Sequence, residues 1–323
     1  MRLLTTQFGF APEQAELVAE ADEELVVLRC GEVSFVVRRG TSAASPVARH
    51  VARHGDGVGD IALVCDDPRG IAHRAHAHGA AASIERDRAR IDLLCDGTIV
   101  HSVRARRVTS CIGPDRRDGT PLMRAIDHVT YCLPWGVMDR AVRAYHEIFG
   151  LDVVPNDDYA EVGDRASGMR SAVLRAPGGF TVVLTEPRSE ASDGQTQRFV
   201  QAHRGPGVQH VAIEYDDLVG AAAMLRSNGV AFLPVPVEHL ERSHLRLRDR
   251  RLAWDALRRH EILVDADDGG LLFQLFTRPL MDRSSFFLEL IHRAGATGFG
   301  AINVPALFAA VAAANTADQV EVP

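Results

Sequence analysis

The stretch GPGVQHVAIEYDD (residues 205–217) reads as a glycine-punctuated turn entering a short strand at 209–215. A histidine, His210, stands at the mouth of that strand beside the amide of Gln209. Alone it would be read as a half-buried structural imidazole. Two other stretches change that reading. GDGVGDIALVCDD (residues 55–67) aligns on the first stretch without gaps, and the match runs on to Gly79 against Gly229, a constant offset of 150 residues. An internal repeat sets the architecture before any local detail. The first copy carries Asp60 where the second carries His210, so the fold itself does not demand the histidine. AIDHVTYCL (residues 125–133) is a further apolar strand with a histidine, His128, near its start. Two strands that each offer one imidazole are candidates to share a metal.

Outward from these strands the pattern recurs. In the first half, strands are expected at 24–30, 33–38, 60–65, 90–95 and 98–103, with a helix at 68–78. In the second half, a strand at 126–133 and a helix at 138–149, closed by Gly150, precede strands at 159–162, 170–175 and 180–186. The strand at 209–215 is followed by a helix at 218–227 and a helical stretch at 242–259. Strands at 261–265, 271–276 and 286–291 and a last helix at 305–314 complete the chain. Strand, helix, then three strands is an α+β unit with curved, mostly antiparallel sheets. The expected organisation is two pseudo-symmetric domains of tandem βαβββ modules. Residues 1–103 form a first domain, 104–124 an arginine-, glycine- and proline-rich linker, and 125–323 a second domain that carries both histidines. Pseudo-symmetry places His128 and His210 together on the floor of a cup.

Composition excludes several classes. Of the 323 residues, 46% are apolar and 24% charged, an ordinary soluble mix, and the net charge of −7 argues against nucleic acid. All 36 basic residues are arginine, which reads as coding bias and solvated helix faces rather than function. The five cysteines are scattered with no CxxC pair, as in a reducing compartment. No signal peptide and no membrane-spanning run is visible, so a cytoplasmic location is expected. The expected partners are small molecules, with neither nucleic acid nor membrane, and homo-oligomerisation is left open.

Two imidazoles need a hard third ligand to hold a redox-active iron, and the 2-His-1-carboxylate set leaves positions open for substrate and dioxygen. In FFLELIHR (residues 286–293), Glu289 shares a strand face with Phe287 and Ile291. A bare carboxylate among such neighbours is costly to bury unless paired or metal-bound. The alternative register turns Leu288 and Leu290 inward and Glu289 to solvent.

IDHV, GPGVQHVA, GLLFQLFTRP, DRSSFFLELIHR and GFGAINVPALF, in that order, resemble the 4-hydroxyphenylpyruvate dioxygenase family, which includes 4-hydroxymandelate synthase, within the vicinal oxygen chelate superfamily. The resemblance is strongest over residues 126–311. It implies that His128, His210 and Glu289 bind Fe(II) and that the N-terminal half is a metal-free copy whose first module is truncated. It further implies catalytic roles for Gln209, Gln274, Ser171 and Asn303. The substrate would meet Gln195, Thr185, Phe276, Phe287, Phe299, Val304 and Leu263, under a C-terminal lid helix.

The chain also departs from the family's pattern. Val304 stands where the homogentisate-forming enzymes have a phenylalanine, Thr185 lies in VLTEP rather than P-x-N-E-P, and P-x-x-Y-Y is replaced by Pro236-Val237-Glu238-His239-Leu240. The expected activity is oxidative decarboxylation and hydroxylation of an aryl-pyruvate, 4-hydroxyphenylpyruvate to 4-hydroxymandelate. The alternatives are homogentisate formation, a different 2-oxo acid, extradiol ring cleavage, or a binding protein without turnover.

Overall fold

A computed structural model of the protein describes residues 1–13, 22–85, 87–94, 97–105, 121–155, 168–247, 249, 251–281, 285–300 and 303. In chain order the elements begin with α1 (Arg2–Thr6), β1 (Ala11–Glu13), β2 (Glu23–Cys30), β3 (Val33–Gly40) and α2 (Pro46–His54). Next come β4 (Ile61–Cys65), α3 (Pro68–Ala77), β5 (Ala81–Glu85), β6 (Arg88–Asp92) and β7 (Val100–Ala105). The second half opens with β8 (Met123–Cys132), α4 (Met138–Ala144) running into a wider π-type turn (Tyr145–Phe149), β9 (Asp152–Val153), β10 (Met169–Arg175) and β11 (Thr181–Pro187). It continues with α5 (Gln195–His203), β12 (Gly207–Tyr215), α6 (Leu218–Ser227), α7 (Val237–Leu247), α8 (Trp254–His260), β13 (Leu263–Asp267), β14 (Gly270–Phe276) and β15 (Phe287–Ala294).

Three of these runs share one topology. The sheet orders 4-7-6-5, 8-11-10-9 and 12-15-14-13 place each module's last strand parallel beside its first and the others antiparallel. Antiparallel pairing of β8 with β12 fuses the second and third modules into one eight-stranded sheet. The vicinal oxygen chelate fold expected from the sequence is therefore the observed one. The repeat extends to helix caps. Asp67 accepts from Gly70 N and Asp217 from Gly220 N, each fixing a helix start, and Gly79 (φ +74°) and Gly229 (φ +86°) supply the left-handed turn after each helix. Helix α4 has no side-chain cap of its own; Glu186 at the end of β11 accepts from Val137 N and Met138 N instead. A three-stranded sheet, β1-β2-β3, stands apart, and among the described residues no strand pairs with the outer edge of β3 or of β4.

The two faces of the large sheet have different work. Val211, Ile213 and Tyr215 of β12, with Leu288 and Leu290 of β15, pack into the main core alongside Leu218, Ala221, Ala222 and Leu225 of α6. Each fully buried aliphatic side chain there contributes about 1.5–3 kcal/mol, which offsets the cost of burying polar groups on the opposite face. That opposite face carries His210, Glu289 and Gln274. Both registers weighed for β15 thus hold in part: Leu288 and Leu290 point inward to the helices, and Glu289 is buried as well, at 2% exposure.

Some boundaries differ from expectation. The stretch 242–259 is two helices rather than one. Asp249 between them folds back on Arg251 N, and its carbonyl accepts from Trp254 Nε1, a local turn that competes with helix. Glu261 ends α8 in the left-handed region (φ +57°), so the next strand starts at Leu263. The expected strand at 159–162, the last helix at 305–314 and most of the 104–124 linker lie outside the described residues. No helix among the described residues is long and apolar enough to cross a membrane.

Helices α2 and α5, neither anticipated, touch across the two halves through a histidine stack. The His54 and His203 rings lie 4.5 Å apart, His50 lies 4.8 Å from His54, and His54 Nδ1 donates to the His203 carbonyl at 2.7 Å. Burial first, and then the neighbouring His54, push both His50 and His203 from 6.5 down to about 4. Between those values the unfolded chain binds more protons than the folded one. Stability is therefore full above pH 6.5 and falls as the pH drops through about 4. Thermal melts across that range should show a shallower slope for His50→Gln; an unchanged slope would remove the stack as a source of acid lability.

Candidate metal centre

Two irregularities in the β8–β12 ladder build the site. Register runs Val208↔Tyr131 then His210↔Thr130, which leaves Gln209 as an extra residue on β12. It then runs Ala212↔His128 and Ile213↔Ile126, which leaves Asp127 as an extra residue on β8. In a regular strand, neighbours point to opposite faces; a bulge lets two consecutive side chains meet. Asp127 Oδ1 accordingly lies 2.8 Å from His128 Nδ1, and Gln209 Oε1 lies 3.3 Å from His210 Nδ1. Each ring is oriented by the residue before it, with Nδ1–H donating and Nε2 free to ligate. Ala212, opposite His128 and beside Glu289, keeps the floor small.

Both Nε2 atoms face one carboxylate oxygen. Glu289 Oε2 is 3.3 Å from His128 Nε2 and 3.5 Å from His210 Nε2, and the three candidate ligand atoms lie within 4.8 Å of one another. The other oxygen, Oε1, accepts from Gln274 Nε2 at 2.8 Å. Exposure is 4% for His128, 7% for His210 and 2% for Glu289. Burial alone would lower the His128 imidazolium, but Glu289 and Asp127 together push it up to about 9. Burial holds His210 down at about 3. Burial opposes ionisation of Glu289, yet His128, His210 and the Gln274 amide keep it below its usual value.

The pocket thus retains a proton on His128 where a cation would bind, and metal uptake displaces such protons. Two imidazoles and one carboxylate with fixed outer partners fit a first-row divalent ion such as Fe(II).

Arg293 locks the support. It holds Asp127 bidentately (Nε–Oδ2 2.6 Å, Nη2–Oδ1 2.9 Å), donates to the carbonyls of Ala296 and Gly298, and sits 5.1 Å over the Phe299 ring. Sequence reasoning missed this residue, one arginine among 36 basic residues. It missed Asp127 too, although a carboxylate directly before His128 was a usable signal.

Of the remaining expected residues, Phe287 and Phe299 meet the ligand rings themselves. Phe287 stacks on His210 at 4.7 Å and meets Phe276 edge-on at 6.2 Å; with Leu233, Val235, Leu240 and Leu263 they make one apolar wall. Phe299 meets the His128 ring edge-on at 5.3 Å and packs with Met169, Val173 and Val183 on the other flank. Ser171 pairs with Thr185 across β10 and β11 on that flank. The Thr185 hydroxyl donates to Tyr131 O at 3.1 Å. Gln195 opens α5, with its Oε1 buried and without a partner among the described residues. Asn303 Nδ2 donates to Gln274 Oε1 at 2.8 Å. Val304 lies outside the described residues. Asp60, the repeat counterpart of His210, accepts instead from Ser102 N and Ser102 Oγ within its own module.

Residues 127–245 match the family described as the Glyoxalase/Bleomycin resistance protein/Dioxygenase superfamily. The 4-hydroxyphenylpyruvate dioxygenase of Yarrowia lipolytica is 27% identical over 344 residues, spanning 95% of this chain and 86% of that protein. A protein of Aspergillus fumigatus named probable 4-hydroxyphenylpyruvate dioxygenase 2 is 32% identical, spanning 82% of this chain and 72% of its own length. Among solved structures, a mutant of 4-hydroxymandelate synthase from Streptomyces coelicolor superposes with a TM-score of 0.79 at 32% identity, over 96% of this chain and 92% of that one. Similarity at this identity over most of both chains reaches past the fold, and with it the chain is a dioxygenase of the 4-hydroxyphenylpyruvate dioxygenase family.

Proposed function

We propose that the protein binds Fe(II) through His128, His210 and Glu289 and oxidatively decarboxylates an aryl-pyruvate, converting 4-hydroxyphenylpyruvate to 4-hydroxymandelate. The observation that carries the metal assignment is the buried convergence of three ligand atoms, each ligand oriented by its own partner. When bound, the ion supplies the redox chemistry and the open coordination positions that a 2-oxo acid and dioxygen require.

The chain's own residues position and enclose the substrate. Phe276 and Phe287 on one side and Phe299 on the other flank the centre with apolar surface, suited to an aromatic ring and to excluding water. The Gln195 Oε1 acceptor is suited to a donor such as a phenol hydroxyl. Gln209 and Gln274 are committed to His210 and Glu289, so their part is to hold the centre rather than to grip the substrate. Ser171 and Thr185 complete the Phe299 flank. Such a small-molecule enzyme suits a cytoplasmic location.

The choice of product rests on sequence. Val304 removes the bulk of a phenylalanine, which leaves the ring free to tilt and bring the benzylic carbon to the oxidant; a shift of about 1 Å is enough to redirect a step. The curated relatives named as 4-hydroxyphenylpyruvate dioxygenases favour a second reading, homogentisate as product. Iron-loaded protein incubated in air with 4-hydroxyphenylpyruvate, phenylpyruvate and an aliphatic 2-oxo acid separates these readings by mass spectrometry of the products. From 4-hydroxyphenylpyruvate, 4-hydroxymandelate should dominate, and Val304→Phe should raise the ring-hydroxylated share. Overpacking commonly costs about 1–3 kcal/mol, so the product ratio is the quantity to read, not the rate. Mainly homogentisate from the native protein would establish the second reading.

A further inference from the structure

His239 lies on α7, outside every strand that carries a ligand, yet it ends a hydrogen-bond chain that reaches the metal centre. Its Nε2 lies 3.2 Å from Asn303 Oδ1; Asn303 Nδ2 donates to Gln274 Oε1 at 2.8 Å; Gln274 Nε2 donates to Glu289 Oε1 at 2.8 Å. We propose that His239 is a positioning residue of the metal centre, setting through Asn303 and Gln274 the orientation in which Glu289 presents Oε2 to the two imidazoles. The inference rests on the metal-centre reading above and extends the arm that supports Glu289 out to α7.

The direction of the chain carries the argument. An amide side chain has a donor end and an acceptor end. Glu289, acting as a carboxylate, accepts only, so Gln274 must turn its NH2 toward it and its oxygen away. That oxygen then needs a donor, which the NH2 of Asn303 supplies. Asn303 is left with its own oxygen outward, and that oxygen faces the imidazole of His239. A proton on His239 Nε2 is therefore what closes the sequence. With a hydrocarbon in its place, Asn303 Oδ1 would have no partner among the described residues and the amides would lose their common direction.

Burial makes the direction matter. Exposure is 6% for His239, 1% for Asn303, 4% for Gln274 and 2% for Glu289. A reversed amide would set donor against donor or acceptor against acceptor, and an unpaired polar group is costly where burial is this deep. Gly300 clears the path: it sits at φ +71°, and a side chain there would land on Gln274 Oε1. Glu289 divides its oxygens cleanly, Oε1 to the amide and Oε2 to the imidazoles. His239 is held by its neighbour Leu240, which packs into the Phe276–Phe287 wall. Burial, and then Arg242 and Arg246, outweigh the Asn303 bond and Asp265 and lower the His239 pKa, which favours a neutral ring.

The test reads metal affinity without turnover. Anaerobic Co(II) titration, followed by visible absorption, should show His239→Phe losing about 10–100-fold in affinity and His239→Gln, which keeps a donor at similar reach, staying within about threefold of native. Melting curves establish that each variant is folded. Equal affinity for native and His239→Phe, or an equal loss in the Phe and Gln variants, would overturn the proposal. Should His239→Phe fail to fold, His239→Asn, whose amide is too short to reach Asn303, takes its place with the same two outcomes. A native protein that takes up no Co(II) at all would contradict the metal-centre reading itself, which keeps the two failures apart.

Discussion

Alanine at His128, at His210 or at Glu289 should abolish both metal uptake and turnover, while Asp60→Ala should leave both in place. Each ligand contributes one of three atoms gathered within 4.8 Å, and no other group of three candidate ligand residues converges this way among the described residues. Loss of an imidazole leaves Glu289, at 2% exposure, with a single ring facing Oε2. Loss of Glu289 leaves two buried rings and no negative charge to hold a divalent ion. Asp60 occupies the same place in the repeat as His210, but its carboxylate is spent on Ser102 N and Oγ of β7. Its removal should lower stability only. Metal content after anaerobic loading, measured alongside dioxygen consumption, checks all four variants. Iron retained by His128→Ala and lost by Asp60→Ala would mean that the wrong module has been chosen.

Asp127→Ala should be the most damaging change outside the ligands. It removes the acceptor for His128 Nδ1–H and strips a bidentate partner from Arg293, whose side chain is only 15% exposed. Breaking a buried pair from one side costs about 3–5 kcal/mol, and losing a ligand's outer partner costs about 10–100-fold in metal affinity. Asp127→Asn keeps an oxygen for His128 while discarding the charge, so it should recover much of the affinity and little of the stability. Denaturant unfolding and Co(II) titration measure the two quantities separately. If Asp127→Ala were as stable as native, the pair with Arg293 would contribute nothing to tying β8 to β15 across β12.

How much of this was readable in the chain depends on how local each feature is. The repeat was legible because its markers are local: the capping Asp67 and Asp217, the turn glycines Gly79 and Gly229, and the apolar strands before each helix. His128 and His210 followed from module equivalence. Glu289 did not follow from periodicity, because β15 is covered on both faces and its alternation carries no inside-outside contrast. The resemblance, not the pattern, singled it out.

The bulges at Gln209 and Asp127 were invisible for a different reason. Register belongs to a pair of strands, and a single strand's sequence does not encode where its partner slips. Helices α2 and α5 were missed because they are short and polar, held by each other's histidines rather than by a long apolar stripe. His239 was noticed only as a departure from an aromatic pattern; its role depends on Asn303, 64 residues away along the chain.

Anomalous diffraction at the iron edge, from crystals loaded anaerobically with Fe(II), tests the central assignment most directly. One peak is expected, within bonding distance of His128 Nε2, His210 Nε2 and Glu289 Oε2. A peak at any other set of residues, or none in protein that still consumes dioxygen with a 2-oxo acid, would contradict it.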